Sequence, residues 1–207
     1  MAAMIAMVVL SFANLFGLSI AGLSVVLGVV AFFVNKAIEK GPDVDSGLGI
    51  KSIGAQLRNS GIWFWILLPR ITDAVRIVIS ELFLPQYVEF EAARARAFAP
   101  IELSVSSVFQ FLVFALGEEI AWRAFFQRQL SNVWPVAPVL LISSLLFSIG
   151  HLSTGNPVVV VFGVSFVFIN SVLYGVVYHK TESAWISTVS HFAANVFELV
   201  VMVLFLL

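Results

Sequence analysis

Between positions 103 and 207 this chain carries seven charged side chains: Arg123, Arg128 and Lys180 against Glu118, Glu119, Glu182 and Glu198. A soluble domain spends about a quarter of its residues on charge and about half on apolar side chains. Here the whole chain is 60% hydrophobic and 11% charged, with a mean hydropathy of +1.04. That is more apolar surface than a core can hide, and it specifies an all-α, multi-pass transmembrane helical bundle. The chain has no cysteine, which excludes a disulfide framework, a thiol nucleophile and any Cys-ligated metal or iron–sulfur site. A net charge of −1 offers no basic surface to a nucleic acid.

A spanning helix takes about 20 mainly apolar residues. The uncharged run Met4–Val34 is long for one span and short for two, with Asn14, Gly17, Ser19 and Gly22 marking a break. It has no basic lead-in, and it is about twice as long as the apolar region of a signal peptide. Residues 35–60 form a polar loop, and 85–101 a second polar stretch. Between them, residues 61–84 carry Arg70, Asp73, Arg76 and Glu81 within one helical arc of roughly 140°. Arg70–Asp73 and Asp73–Arg76 can pair at i,i+3. Such a helix spans with its polar face turned to protein, the favoured reading, or lies in the interface. Four apolar segments follow at about 103–130, 136–152, 157–178 and 184–207. The total is about six spans, within a range of five to eight, in a single membrane domain.

Polar side chains inside a span are costly and mark functional paths or sites. Three clusters qualify. In Glu118-Glu119-Ile120-Ala121-Trp122-Arg123, neighbours point about 100° apart on a helix, so the two carboxylates do different work. Glu119 pairs with Arg123 at i,i+4, which leaves Glu118 facing elsewhere, uncommitted, as a candidate general base or acid. Phe147 and His151 are i,i+4 near the end of an apolar helix. His191, Asn195 and Glu198 form one polar stripe. Taken singly, each cluster also reads as interfacial polarity or as hydrogen-bonding glue between helices. Asn170 and Tyr174, another i,i+4 pair, read as glue, and His179 as juxtamembrane. Two histidines, a free glutamate and an asparagine together make a hydrolytic set: a carboxylate to activate water and donors for an oxyanion. There is no H-E-x-x-H, no pair of membrane aspartates, and Gly163-Val164-Ser165-Phe166 only partly matches a rhomboid-type serine motif. A zinc ion on His151, His191 and Glu118 stays open.

Glu118-Glu119-x-x-x-Arg123, Phe147-x-x-x-His151 and His191-x-x-x-Asn195, in this order on successive helices, resemble the type II CAAX prenyl endopeptidases. These are also called the CAAX protease and bacteriocin-processing (CPBP) or abortive-infection family. Tyr178-His179-Lys180-Thr181-Glu182-Ser183-Ala184-Trp185 resembles the family's lead-in to the third motif. The resemblance covers about residues 105–200, with Trp122 where the family often has Phe and Ala124 where it often has Gly. It divides the chain into variable N-terminal helices and polar loops (1–102) and catalytic helices (103–207). It implies a helical bundle, typically of eight helices, and a glutamate-dependent intramembrane protease. In that scheme Glu118 activates water with His151, His191 and Asn195 form the oxyanion site, and Glu119, Arg123 and Phe147 complete the motifs. No cofactor is expected, zinc being the alternative. The implied partners are the bilayer and a peptide or membrane-protein substrate, prenylated or not. The implied location is a membrane, the cell membrane in a prokaryote. The rival reading is a transporter that uses the same Glu/His/Asn cluster as a proton or substrate path. A six-span topology sets Glu118 and His191 toward one membrane face but His151 near the far end of its span, whereas one catalytic site needs them together.

Overall fold

The computed structural model describes residues 1–15, 18–19, 21–39, 47–51, 53–96 and 102–206. The regular structure of the described residues is helical apart from one two-residue pairing. The long uncharged run divides where small and polar residues interrupt it: α1 (Ala2–Phe12) and α2 (Gly22–Glu39) flank a two-residue antiparallel pairing of Asn14–Leu15 with Leu18–Ser19. Gly17 lies outside the described residues, as do Lys40, Gly41, Pro42, Asp43, Asp45 and Pro100 of the two polar stretches. Those stretches are not wholly loops. α2 continues to Glu39 and α3 (Ile53–Arg58) follows, while α5 (Gln86–Arg96) occupies most of the second. Its polarity misled because, among the described side chains of α5, Tyr87, Glu91 and Ala92 are buried while Gln86, Glu89, Ala93 and Arg96 are exposed.

α4 (Ser60–Phe83) begins at Asn59, whose side chain accepts from the Gly61 N–H, the usual way to satisfy an orphan donor of a first turn. It packs on α8 (Pro157–Thr181) and α9 (Ala184–Val201). Asp73 and Arg76 are buried there, 3.4 Å apart, and Arg76 reaches Glu198 of α9 at 2.8 Å. The polar face of α4 is thus turned to protein. Arg70 is only half-buried and Glu81 exposed, and the Arg70–Asp73 pair is not among the described ion pairs.

The motif-bearing half is two helical hairpins. α6 (Val105–Ser131) turns through 132–135 into α7 (Val136–Ile149). α8 turns into α9 through Glu182, which holds a left-handed φ of +48°, and Ser183, which caps α9. α6, α8 and Ala184–Phe205 are long and apolar enough to cross a membrane, and Ala2–Phe12, Gly22–Ile38 and Val136–Ile149 are shorter apolar helices. Large side chains such as Phe109, Phe114, Val158 and Val161 face outward, while Ser143, Ser144, Ser171, Ser187 and Ser190 are sealed inside. Small polar residues between helices are what lets backbones approach closely in lipid.

Within α6, Glu119–Gln127 winds as a π-helix, and all nine of these residues are buried. Such wide turns concentrate at functional sites. α2 lies along this stretch, with Gly28 at the closest approach: a Cβ there would stand 2.6 Å from the Ala121 Cβ and 3.0 Å from its Cα. The N-terminal half therefore props the motif helix. Gly28→Val should push α2 off α6 and destabilise the bundle by about 1–3 kcal/mol, the usual cost of overpacking. A lower melting temperature in detergent checks this.

Candidate active site

Hairpin register sets the height of each polar side chain. A helix rises about 1.5 Å per residue. Glu119 lies 12 residues before the end of α6 and Phe147 lies 11 residues after the start of α7, so the antiparallel pair brings them level. In the second hairpin Tyr174 and His191 are each seven residues from the facing helix ends, and their rings stack with centroids 4.4 Å apart. Phe147 ties the motifs together. Its ring is 5.8 Å from Trp122, 5.4 Å from the Arg123 guanidinium carbon, 4.7 Å from His151 and 6.5 Å from His191. Phe147 thus links the second motif to the first and third, and His151 stands against it four residues further on. α7 has only 14 residues, so its far end reaches the middle of the 27-residue α6, not the opposite membrane face.

His191 is the hub. Its Nδ1 lies 2.9 Å from Glu119 Oε1 and its Nε2 3.6 Å from Glu118 Oε2. A carboxylate of Glu119 only accepts, so Nδ1 carries the proton. The 3.6 Å contact is an ion-pair distance and too long for a hydrogen bond. The expectation that Glu118 faces away from Glu119's partners is corrected here: both glutamates converge on one imidazole. The two ring nitrogens sit on different edges, so carboxylates that diverge on α6 can each meet one of them. Glu118 keeps its other oxygen without a partner among the described residues, and its side chain is 23% exposed.

Glu119 and Arg123 are 1% and 0% exposed. Glu119 Oε2 is 3.4 Å from Arg123 Nε and also accepts from the Ser187 hydroxyl. Arg123 Nη2 donates to Ser171 Oγ at 2.8 Å. The expected i,i+4 pair is present. His151 Nδ1 is 3.1 Å from the Phe147 carbonyl oxygen. That atom can only accept, so Nδ1 holds the proton and Nε2 presents a lone pair. Asn195 is half-buried one turn beyond His191, with no side-chain hydrogen bond among the described residues. The stripe His191/Asn195/Glu198 divides, since Glu198 serves Arg76. Asn170 is glue: its amide donates to Asp73 Oδ1 at 2.8 Å, and Thr72 donates to it. Tyr174, read as its partner in that role, instead faces His191. His179 is exposed. Among the described residues no group of three His, Asp or Glu side chains is placed to hold a metal ion.

Ser171, Tyr174 and Ser187 were not singled out for the site by sequence reasoning. Ser187 carried a signal, because it stands four residues before His191 and extends that stripe. Ser171 carried none, since a serine in an apolar helix is ordinary. An open apolar groove of about 430 Å³ runs along the first turns of α6, lined by Leu103, Val105, Val108, Phe109, Leu112 and, from α9, Phe192 beside His191.

Residues 100–197 match the family model Rce1-like, type II CAAX prenyl endopeptidase Rce1-like. The matched stretch, just under half of the chain, is similar to this CAAX endopeptidase family. All three motifs lie inside the matched stretch, and the family points to a protease embedded in a membrane. No curated protein and no solved structure matches the chain.

Glu119→Gln removes the partner of a fully buried guanidinium, a loss worth about 3–5 kcal/mol at deep burial. Glu119→Gln and Arg123→Gln should each lower the melting temperature. The double variant should lose less than the two losses added, since the sites share one pair. A thermal double-mutant cycle in detergent measures this.

Proposed function

We propose that the chain is a glutamate-dependent intramembrane endopeptidase of the CAAX-protease type. The observation that carries this reading is Glu118, half-free, beside an imidazole clamped by Glu119 where three motif helices meet. Glu118 takes a proton from water, and the lone-pair edge of His151 helps to orient that water. The resulting hydroxide attacks the peptide carbonyl carbon. The oxyanion receives hydrogen bonds from the Asn195 amide and from His191 Nε2–H. Because the Nδ1 proton is already given to Glu119, His191 can donate from Nε2 only when its ring carries both protons. Collapse breaks the C–N bond, and Glu118 returns its proton to the leaving amine. Glu119 and Arg123 position the ring, and Phe147 spaces the two histidines.

The proposed substrate is a prenylated C-terminal CaaX peptide or, in a prokaryote, a membrane-protein tail or peptide, including bacteriocin leaders. The apolar groove along the first turns of α6, lined also by Phe192 of α9, suits a hydrophobic segment of that kind. Six spans with the three motifs on the C-terminal four, and a cell-membrane location in a prokaryote, complete the reading. It assigns no resident metal. The transporter alternative has no observation in its favour.

Three outcomes test it on a fluorogenic membrane-peptide reporter in liposomes. Glu118→Gln keeps shape but cannot accept a proton, and should lower kcat by about 10²–10⁴-fold, the reach of a general base, with an unchanged melting curve. Asn195→Ala should lower kcat by about 10²–10³-fold, as loss of one oxyanion donor does, with little change in KM. Purified enzyme should keep its activity through chelation. Stoichiometric zinc whose removal and return switch activity off and on would instead make Glu118 a ligand.

A further inference from the structure

An imidazole held by one hydrogen bond is not yet aimed. The terminal torsion of a histidine is broad and roughly two-fold, so a ring tethered only at Nδ1 can tilt about that bond and swing Nε2 away. In this bundle the restraint comes from α8. The Tyr174 ring lies face to face with His191, centroids 4.4 Å apart and planes 15° from parallel, and both residues are buried. Phe147 meets His191 edge-on at 6.5 Å and 83°. The backbone of Tyr174 contributes as well. Its carbonyl oxygen is 3.1 Å from Ser187 Oγ, the hydroxyl that also contacts Glu119. One residue of α8 therefore touches the face of His191 and steadies the serine behind its carboxylate anchor. The Tyr174 hydroxyl makes no hydrogen bond among the described residues, so the ring is the part in use.

We infer that Tyr174 is a positioning residue: its ring is a stacking platform that fixes the plane of His191 and so aims Nε2 at the reacting carbonyl. This rests on the reading of His191 as an oxyanion donor. An aliphatic side chain of similar bulk would fill the space but leave the plane free to tip, and a misplacement of about 1 Å in such a site costs about 10²-fold in rate.

The test uses the full-length protein in liposomes, with kcat and KM on the same reporter, a melting curve, and ¹⁵N-histidine spectra in detergent. Tyr174→Leu should lower kcat by about 10–10²-fold with KM within a small factor, the fraction of the misplacement cost that residual packing does not recover. Tyr174→Phe should recover most of the rate. In the spectra, His191 of Tyr174→Leu should lose its single set of ring signals and show exchange between ring orientations, while His151 keeps its own signals. Should the leucine variant not fold, Tyr174→Met, unbranched and adaptable in cores, takes its place in every measurement. A folded leucine or methionine variant with normal kcat and an unchanged His191 spectrum overturns the platform. So does a phenylalanine variant as slow as leucine, which would assign the role to the hydroxyl. Glu118→Gln run alongside separates the two ideas. If it cleaves normally, the peptidase mechanism fails, and the His191 spectrum alone still decides whether Tyr174 holds the ring.

Discussion

A single buried carboxylate organises this bundle. Glu119 lies where lipid and protein exclude water, and it is tolerated there because three groups meet it: Arg123 from its own helix, Ser187 and His191 from α9. Arg123 in turn is tied to Ser171 of α8. Three helices are thus locked in register around one charge. A buried ion pair gains little over apolar packing, yet losing one partner is expensive. Such a centre specifies geometry more than it stabilises, which is what a site needing an aimed imidazole requires.

Around that centre, the lengths of the hairpins do the placing. Because α7 has 14 residues, Phe147 and His151 stop at the depth of Glu119 instead of crossing to the far side. Because α8 and α9 are joined by a turn through a left-handed Glu182, Tyr174 and His191 fall opposite one another. The π-helical winding of Glu119–Gln127 occurs in the segment all these contacts share, and α2 closes against it through Gly28. The N-terminal helices, which carry no motif, thereby hold the motif helix from behind.

A second set of charges repeats the principle at the other end of α9. Arg76 joins Asp73, Glu198 and the Tyr87 hydroxyl, fastening α4 and α5 to the bundle. On α5, the buried Glu91 carboxyl is pushed up from its ordinary range by burial, offset in part by Arg94 at 3.1 Å. This amphipathic helix therefore has a polar anchor of its own, which explains why a stretch so rich in charge is ordered against α8.

Much of this was legible in the chain. Seven charges in its last 105 positions dictate helices in lipid, since nothing else in the composition could be buried in water. The spacing of Glu119 to Arg123 contains their pairing, because i,i+4 neighbours meet on any helix, and the order of Glu118, His151 and His191 contains the family. Three things were not legible. The convergence of both glutamates on His191 depends on which edge of the ring α9 presents. The approach of His151 depends on where α7 ends relative to α6. The roles of Tyr174, Ser171 and Ser187 depend on inter-helix register. Each is a distance between segments remote in sequence, set by turn geometry and packing. Periodicity along one helix reports the face of a side chain and carries no information about what stands opposite.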